Sequence, residues 1–416
     1  MEVKLFYCFV VVLHLFTAAH FCYASKSRHP SSIEKVEALK HLNLLNKRPV
    51  KSIKSPDGDT IDCVHISHQL AFDHPLLKNH TIKMKPNYHP GWVMDDNINM
   101  DTSSSKEAIT QLWHSNGRCP KGTIPVVRTK IKDVLSADSI KSYGKKKSFP
   151  VARPSSMNPE VTNVSKDHEY AIAYTNGLFY GAKATFNVWN PYVQEHNEFS
   201  LSQLWILSGS DLDLNTIEAG WQVAPERGDT NTRMFIYWTS DGYQTTGCYN
   251  LKCSGFIQTS NEIAIGASMS PISRFNGSQY GFTIIIWKDR KEGDWWMQLG
   301  DGPDGKVIGY WPASLFSYLS QSASSVEWGG EVINRRSGGL HTTTQMGSGY
   351  FPQEGFGKAS FIKNILTVND NNTLTTPLNL YTYTTQKSCY DIVNGIADDW
   401  GSYIFFGGPG RNKYCP

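Results

Sequence analysis

Two short stretches place a carboxylate in the same setting. In "NTIEAGWQV" (215–223), Ile217, Ala219, Trp221 and Val223 alternate with Thr216, Glu218, Gly220 and Gln222. In "SSVEWGGEV" (324–332), Val326, Trp328, Gly330 and Val332 alternate with Ser325, Glu327, Gly329 and Glu331. Period-two alternation is the mark of a strand with one apolar and one polar face. Side by side, two such strands would aim Glu218 and Glu327 into one groove. Close carboxylates do not ionise together readily, so one serves as a base towards water and the other, protonated, as a donor to a carbonyl oxygen or leaving group. Such a pair works best in acid. The same alternation also describes two ordinary strand carboxylates facing solvent, and the pattern leaves both readings open.

Other catalytic patterns are missing. The chain has no G-x-S-x-G, no H-E-x-x-H and no phosphate-binding glycine loop, nor an Asp-Thr-Gly or Asp-Ser-Gly triplet. After residue 157 only His168, His196 and His341 remain for a histidine-assisted nucleophile. Carboxylates are therefore the candidates for the chemistry. Gln222 shares the face of Glu218 four residues on, about 13 Å along an ideal strand, and Glu331 bears the same relation to Glu327. Both are read as possible substrate contacts or supports. Trp221 and Trp328 fall on the opposite parity and are expected in the core. Trp205, Tyr237, Trp238 and Tyr243 are flat rings that could line a binding wall; their faces are not legible.

The elements that must position these residues are mostly strands. Twelve Trp, 20 Tyr and 34 Gly in 416 residues, with Ile/Val/Thr-rich runs, lean towards β structure. From about His168 the runs "HEYAIAYT", "GAKATFNVWNP", "LSQLWILSG", "TRMFIYWTS", "FTIIIWK", "WWMQLG" and "KASFIKNILTV" join the two above, punctuated by Gly, Asn, Asp and Pro. Many strands with short turns predict an antiparallel sandwich or barrel. Before them, "SSIEKVEALKHLNLLNK" (31–47) predicts a helix capped by Ser31 or Ser32, with Leu39, Leu42 and Leu45 among its apolar positions.

Charge divides the chain. Residues 1–157 carry 23 Lys/Arg against 13 Asp/Glu, whereas residues 158–416 carry 17 against 24, and eight of the 13 histidines lie between 25 and 157. A basic, His-rich segment would be drawn onto an acidic β domain and loosened by acid; the same charges would also solvate a flexible arm. The junction is expected in the exposed-looking "ARPSSMNPEVTNVSKD" (152–167). Secreted chains offer little to nucleic acid, and no 20-residue apolar span follows the N-terminus.

Residues 1–24 read as a secretory signal: Lys4, the apolar "LFYCFVVVLHLFTAAHF", then cleavage after Ala24. Cys8 and Cys22 leave with it. The remaining six cysteines suggest disulfides, and proximity favours Cys63–Cys119, Cys248–Cys253 and Cys389–Cys415. The rival for "CYNLKC" is zinc, but no second Cys or His pair lies near it. Sequons at Asn79, Asn163, Asn276 and Asn371 fit a secreted, extracellular protein or an acidic secretory compartment.

From roughly residue 60 onward the chain resembles the plant neprosin family. The markers, in order, are "GAKATFNVWNP", "EFSLSQLWILSGS", "LNTIEAGWQV", "GCYNLKCSGF", "IGYWPASLF", "VEWGGEV", "TTTQMGSGYFP" and "GGPGRN". The resemblance implies a secreted glutamic peptidase made as a zymogen. It comprises a signal (1–24), a smaller mixed activation segment (25–157) and an all-β catalytic domain (158–416), an antiparallel sandwich of two sheets. It implies cleavage after proline at acid pH by the paired Glu218 and Glu327, with no metal or cofactor. The partners it implies are proline-containing peptides and the chain's own pro-segment as inhibitor. The competing expectations are a non-catalytic, lectin-like sandwich that binds wall glycans or Pro-rich proteins, and a glycoside hydrolase using the same two carboxylates.

Overall fold

The computed structural model describes residues 31–92, 110–137, 139–146, 167–302 and 305–416. The expected signal, the sequon at Asn163 and nearly all of the expected junction at 152–167 lie outside the described residues.

Two antiparallel sheets face each other. One has seven strands in the order Cys248–Tyr249, Arg233–Thr239, Asn215–Val223, Ser200–Ser208, Ala323–Ile333, His168–Phe179 and Tyr381–Thr384. The larger sheet is built around Lys306–Trp311, Trp295–Leu299, Gly281–Lys288, Gly181–Asn187 and Ser360–Val368, extended by the hairpin Asp391–Ala397/Gly401–Gly407. Each run read as a strand from its composition is one. The alternation puts Ile217, Ala219, Trp221, Val326 and Trp328 between the sheets, packed with Trp287, Trp296 and Phe186. Trp221 and Trp328 are fully buried there, as their parity predicts.

The part before residue 146 is smaller and mixed. It holds a three-stranded sheet (Pro49–Lys54, Thr60–His65, Thr123–Val127) and the helix Ser32–Leu45. Ser31 caps the helix by accepting from the Glu34 N–H, while Glu34 accepts in return from the Ser31 N–H. Of the expected apolar positions, Leu45 is buried and Leu42 half-buried, but Leu39 is 48% exposed. The helix packs against Ile131–Leu135 and Tyr143, with Leu70, Ala137 and Ile140 beside them, and the stripe through Ala38 and Leu45 is what they cover.

All three disulfides favoured by proximity are present: Cys63–Cys119, Cys248–Cys253 and Cys389–Cys415. The "CYNLKC" cysteines are thus joined to each other. The sequon residues Asn79, Asn276 and Asn371 are exposed.

The N-terminal part clasps the sandwich. Gly91–Trp92 adds parallel to Thr373–Thr375, and Thr110–Gln111 pairs with Met269–Ser270. Lys83 bridges to Asp294 at 2.5 Å, in the sense the charge division predicts, whereas Arg233 of the sandwich meets Asp59 at 2.6 Å in the opposite sense. Four of its histidines lie on the boundary. His74 packs on Trp238 and His89 on Trp287. His80 meets the Tyr310 hydroxyl at 2.8 Å, and His114 donates to the Glu262 carbonyl at 2.7 Å.

Candidate active site

Register decides which side chains share a face. Glu218 lies opposite Tyr237 on one side and Trp205 on the other; Trp205 lies opposite Glu327, and Glu327 opposite Tyr174. Directly opposed residues point the same way. One row across the outer face of the seven-stranded sheet therefore reads Tyr249, Tyr237, Glu218, Trp205, Glu327, Tyr174, Tyr381. The two glutamates flank the single Trp205 strand, so their backbones stand roughly 10 Å apart, with both side chains rising from the same floor. They do not face open solvent: Glu218 is 0% exposed and Glu327 2%.

Gln222 and Glu331 fall two rows further along, flanking Leu201 much as the glutamates flank Trp205. Gln222 lines a cavity with Arg233, Asp229, Tyr143 and Lys132, at the seam with the N-terminal part. Glu331 is engaged by His168 Nδ1 at 2.5 Å and by the Tyr170 hydroxyl at 3.3 Å. The fold thus brings Glu218 and Glu327 into one row and sets Gln222 and Glu331 two rows away on the same face. Of the aromatic candidates, Trp205, Tyr237 and Tyr243 line this face with Tyr249, Phe235 and Leu207, whereas Trp238 faces the core.

Donors converge on Glu218. Its Oε1 accepts from the Thr216 hydroxyl at 3.0 Å and the Tyr243 hydroxyl at 2.8 Å. Its Oε2 accepts from Gln203 Nε2 at 3.2 Å and from Lys146 Nζ at 2.5 Å. Tyr243 reaches it from the loop "SDGYQTTGC", where its own φ is +65°, an uncommon conformation for a bulky residue that this loop holds in place. Asp241 is the loop's anchor, accepting from the Thr245 and Thr246 N–H groups at 2.8 and 2.9 Å and from both hydroxyls at 2.6 Å. Burial pushes the Asp241 carboxyl up, but the hydrogen bonds from Thr245 and Thr246 outweigh it and hold it at about 2. The loop that aims Tyr243 therefore keeps its charged anchor well into acid.

Lys146 comes from the N-terminal part, at the last residue described before the junction. Its ammonium lies over the rings of Tyr237, Tyr243 and Tyr249 at 4.9, 5.3 and 5.9 Å. Its backbone N–H donates to the Tyr237 hydroxyl at 3.2 Å, and Tyr249 N–H donates to the Gly144 carbonyl at 2.7 Å, so residues 144–146 are docked by main chain as well. Burial would depress the Lys146 ammonium; Glu218, with Tyr243 and Glu331 adding to it, outweighs that and holds it above the ordinary lysine range. Burial likewise pushes the Tyr237 phenol up, so it stays a neutral donor and acceptor. In "KSYGKKKSFP" (141–150) nothing marks Lys146, the middle of three consecutive lysines.

The chain is similar to a scytalido-glutamic peptidase with a peptide-based transition-state analogue (11% identity, 59% of this chain, 98% of that one, TM-score 0.32). It is also similar to SCP-B, a member of the eqolisin family of peptidases, in complex with the tripeptide Ala-Ile-His (11% identity, 58% of this chain, 98% of that one, TM-score 0.30). The neprosin activation peptide model matches residues 52–174, which include the Lys146 segment. The neprosin model matches residues 196–409, more than half of the chain and both glutamate strands, and the chain belongs to the neprosin family.

Proposed function

We propose that the protein is the secreted zymogen of an acid-active glutamic endopeptidase that cleaves after proline, with Glu218 and Glu327 as the catalytic pair. The observation that carries this reading is the shared row. Two buried carboxylates flank one strand on the outer face of the sheet, and a cation of the N-terminal part is seated on one of them.

Hydrolysis needs no covalent intermediate. The ionised member of the pair takes a proton from water as the water oxygen attacks the scissile carbonyl carbon. The protonated member donates to the carbonyl oxygen. On collapse, that proton returns to its carboxyl, the C–N bond breaks, and the proton taken from water passes to the leaving amine nitrogen. The pair ends as it began. Trp205, Tyr237 and Tyr243 offer the flat apolar wall that suits a pyrrolidine ring. Lys146 occupies the ground where a substrate chain would lie, so residues 25–157 act as an intramolecular inhibitor until they are removed.

The test is to acidify the purified proprotein and offer proline-containing peptides beside oligosaccharides. Cleavage after proline that falls by about 10⁴-fold in both Glu218→Gln and Glu327→Gln supports the reading. Glycan binding without turnover would point to a lectin-like sandwich, and glycan cleavage to a glycosidase; either result overturns it.

A further inference from the structure

Between the two glutamate strands, one row along from the pair, stands Gln203. It lies opposite Gly220 on the Glu218 strand and Gly329 on the Glu327 strand. No side chain fits at either neighbour: a Cβ would fall 2.0 Å from the Ser202 carbonyl oxygen at Gly220 and 2.3 Å from the Ala171 carbonyl oxygen at Gly329. The small residues around both glutamates thus leave Gln203 as the one side chain of its row between the two strands. It is 0% exposed. Its Nε2 donates to Glu218 Oε2, and chemistry fixes that orientation, because an amide oxygen facing a carboxylate would set acceptor against acceptor. The amide oxygen is therefore turned away from Glu218, and among the described residues it has no hydrogen-bond partner. A buried acceptor without a partner costs stability and calls for an explanation.

We propose that Gln203 is a third catalytic residue that holds the attacking water, its Oε1 accepting one water proton while Glu218 takes the other. This rests on the proposed peptidase reading and adds an order to the pair. Gln203 Nε2, Thr216 and Tyr243 all donate to Glu218 from within the sandwich, and these donors remain when Lys146 leaves. Glu218 is then the base, and Glu327 is the acid that donates to the carbonyl oxygen. The water oxygen bonds to the carbonyl carbon, its Glu218-facing proton transfers, and its Gln203-facing proton stays on the new carboxyl group.

The test uses the protein made as the full chain and then activated by removal of its N-terminal part. Gln203→Met keeps the shape and removes both polar atoms. We expect kcat to fall about 100-fold with KM changed less than about threefold. Gln203→Glu supplies an acceptor oxygen and, while protonated, a donor as well. By register its titratable surroundings are Glu218, with Tyr237 opposite it and Tyr243 bonded to it, on one side, and on the other Glu327 and Glu331, the latter bonded by Tyr170 and His168. We expect it to keep most of its activity in strong acid and to lose it as the pH rises and the new carboxyl ionises beside Glu218, a profile that a packing role would not give. Near wild-type kcat in Gln203→Met, or an unaltered pH profile in Gln203→Glu, overturns the proposal. Glu218→Gln and Glu327→Gln are run alongside. If these stay active, the peptidase pair itself fails; if they are dead while Gln203→Met is active, only the role of Gln203 fails.

Discussion

The two faces of the seven-stranded sheet are both buried, but different things bury them. The inner face is covered by the second sheet through Trp221, Trp328, Trp287 and Trp296. The outer face is covered around Glu218 by residues 144–146 of the N-terminal part, through Lys146 on Glu218, Lys145 on the Thr245 carbonyl, and hydrogen bonds made by the Lys146 N–H and the Gly144 carbonyl. The first kind of burial is apolar and belongs to the folded state itself. The second is polar and is made by a segment joined to the sandwich through a junction. Carboxylates survive on the outer face because donors and an ammonium satisfy them, whereas on the inner face they would be unpaired charges at prohibitive cost. Mutations on the two faces should therefore fail in different ways.

The largest effect is expected inside. Trp328→Ala removes a fully buried indole between the sheets and should cost about 3–5 kcal/mol of stability, read as a lower denaturation midpoint of the zymogen. Loss of activity should track loss of folded protein. If Trp328→Ala keeps its stability but loses turnover, the division between faces is wrong.

Outside, the cover can be weakened without touching the sheet. Lys146→Ala leaves the Glu218 carboxylate without its ammonium and should weaken docking of the segment by about 2–4 kcal/mol. The expected signs are earlier release of the N-terminal part on acidification and activity that leaks from the uncleaved chain. Denaturation of the sandwich should barely change. Proprotein that stays as latent as wild type would show that other contacts, such as Lys83–Asp294 and Arg233–Asp59, carry the latency.

This difference also explains what was legible beforehand. Glu218, Glu327, Trp221 and Trp328 lie in strands whose two parities differ in polarity, so their faces follow from the pattern. "LSQLWILSG" has Leu201, Trp205 and Leu207 on one parity and Leu204 and Ile206 on the other. Both faces are buried, the alternation is lost, and Gln203 shows no face until register supplies one. Tyr243 depends on a positive φ in a loop, and Lys146 on docking between distant segments. Neither leaves a periodic trace. Leu39 went the other way, since a helix with so small a partner surface need not bury every apolar position.

The subtlest way to probe docking of the N-terminal part is through the histidines on its boundary with the sandwich. His114 sits beside the Trp113 ring, with the Glu262 carbonyl as its acceptor and Arg118 and Lys306 nearby. Burial first, then Arg118 and Lys306, lower it from 6.5 to about 4. The docked state therefore prefers neutral His114, and an undocked segment takes up the proton first. Its contribution to docking is intact above pH 6.5, declines as the pH falls towards about 4, and changes no further below that. His74 and His80 are lowered by burial as well and act in the same sense; Asp294 opposes the shift at His80, and Lys83 adds to it. Replacing His114 by Gln should flatten, without abolishing, the pH dependence of segment release between about pH 4 and 6.5. The measurement is the fraction of N-terminal part bound to the sandwich after limited cleavage at the junction, across that range. An unchanged slope in His114→Gln, and in the triple variant with His74 and His80 replaced, would move the acid trigger from the histidines to the carboxylates they pack beside.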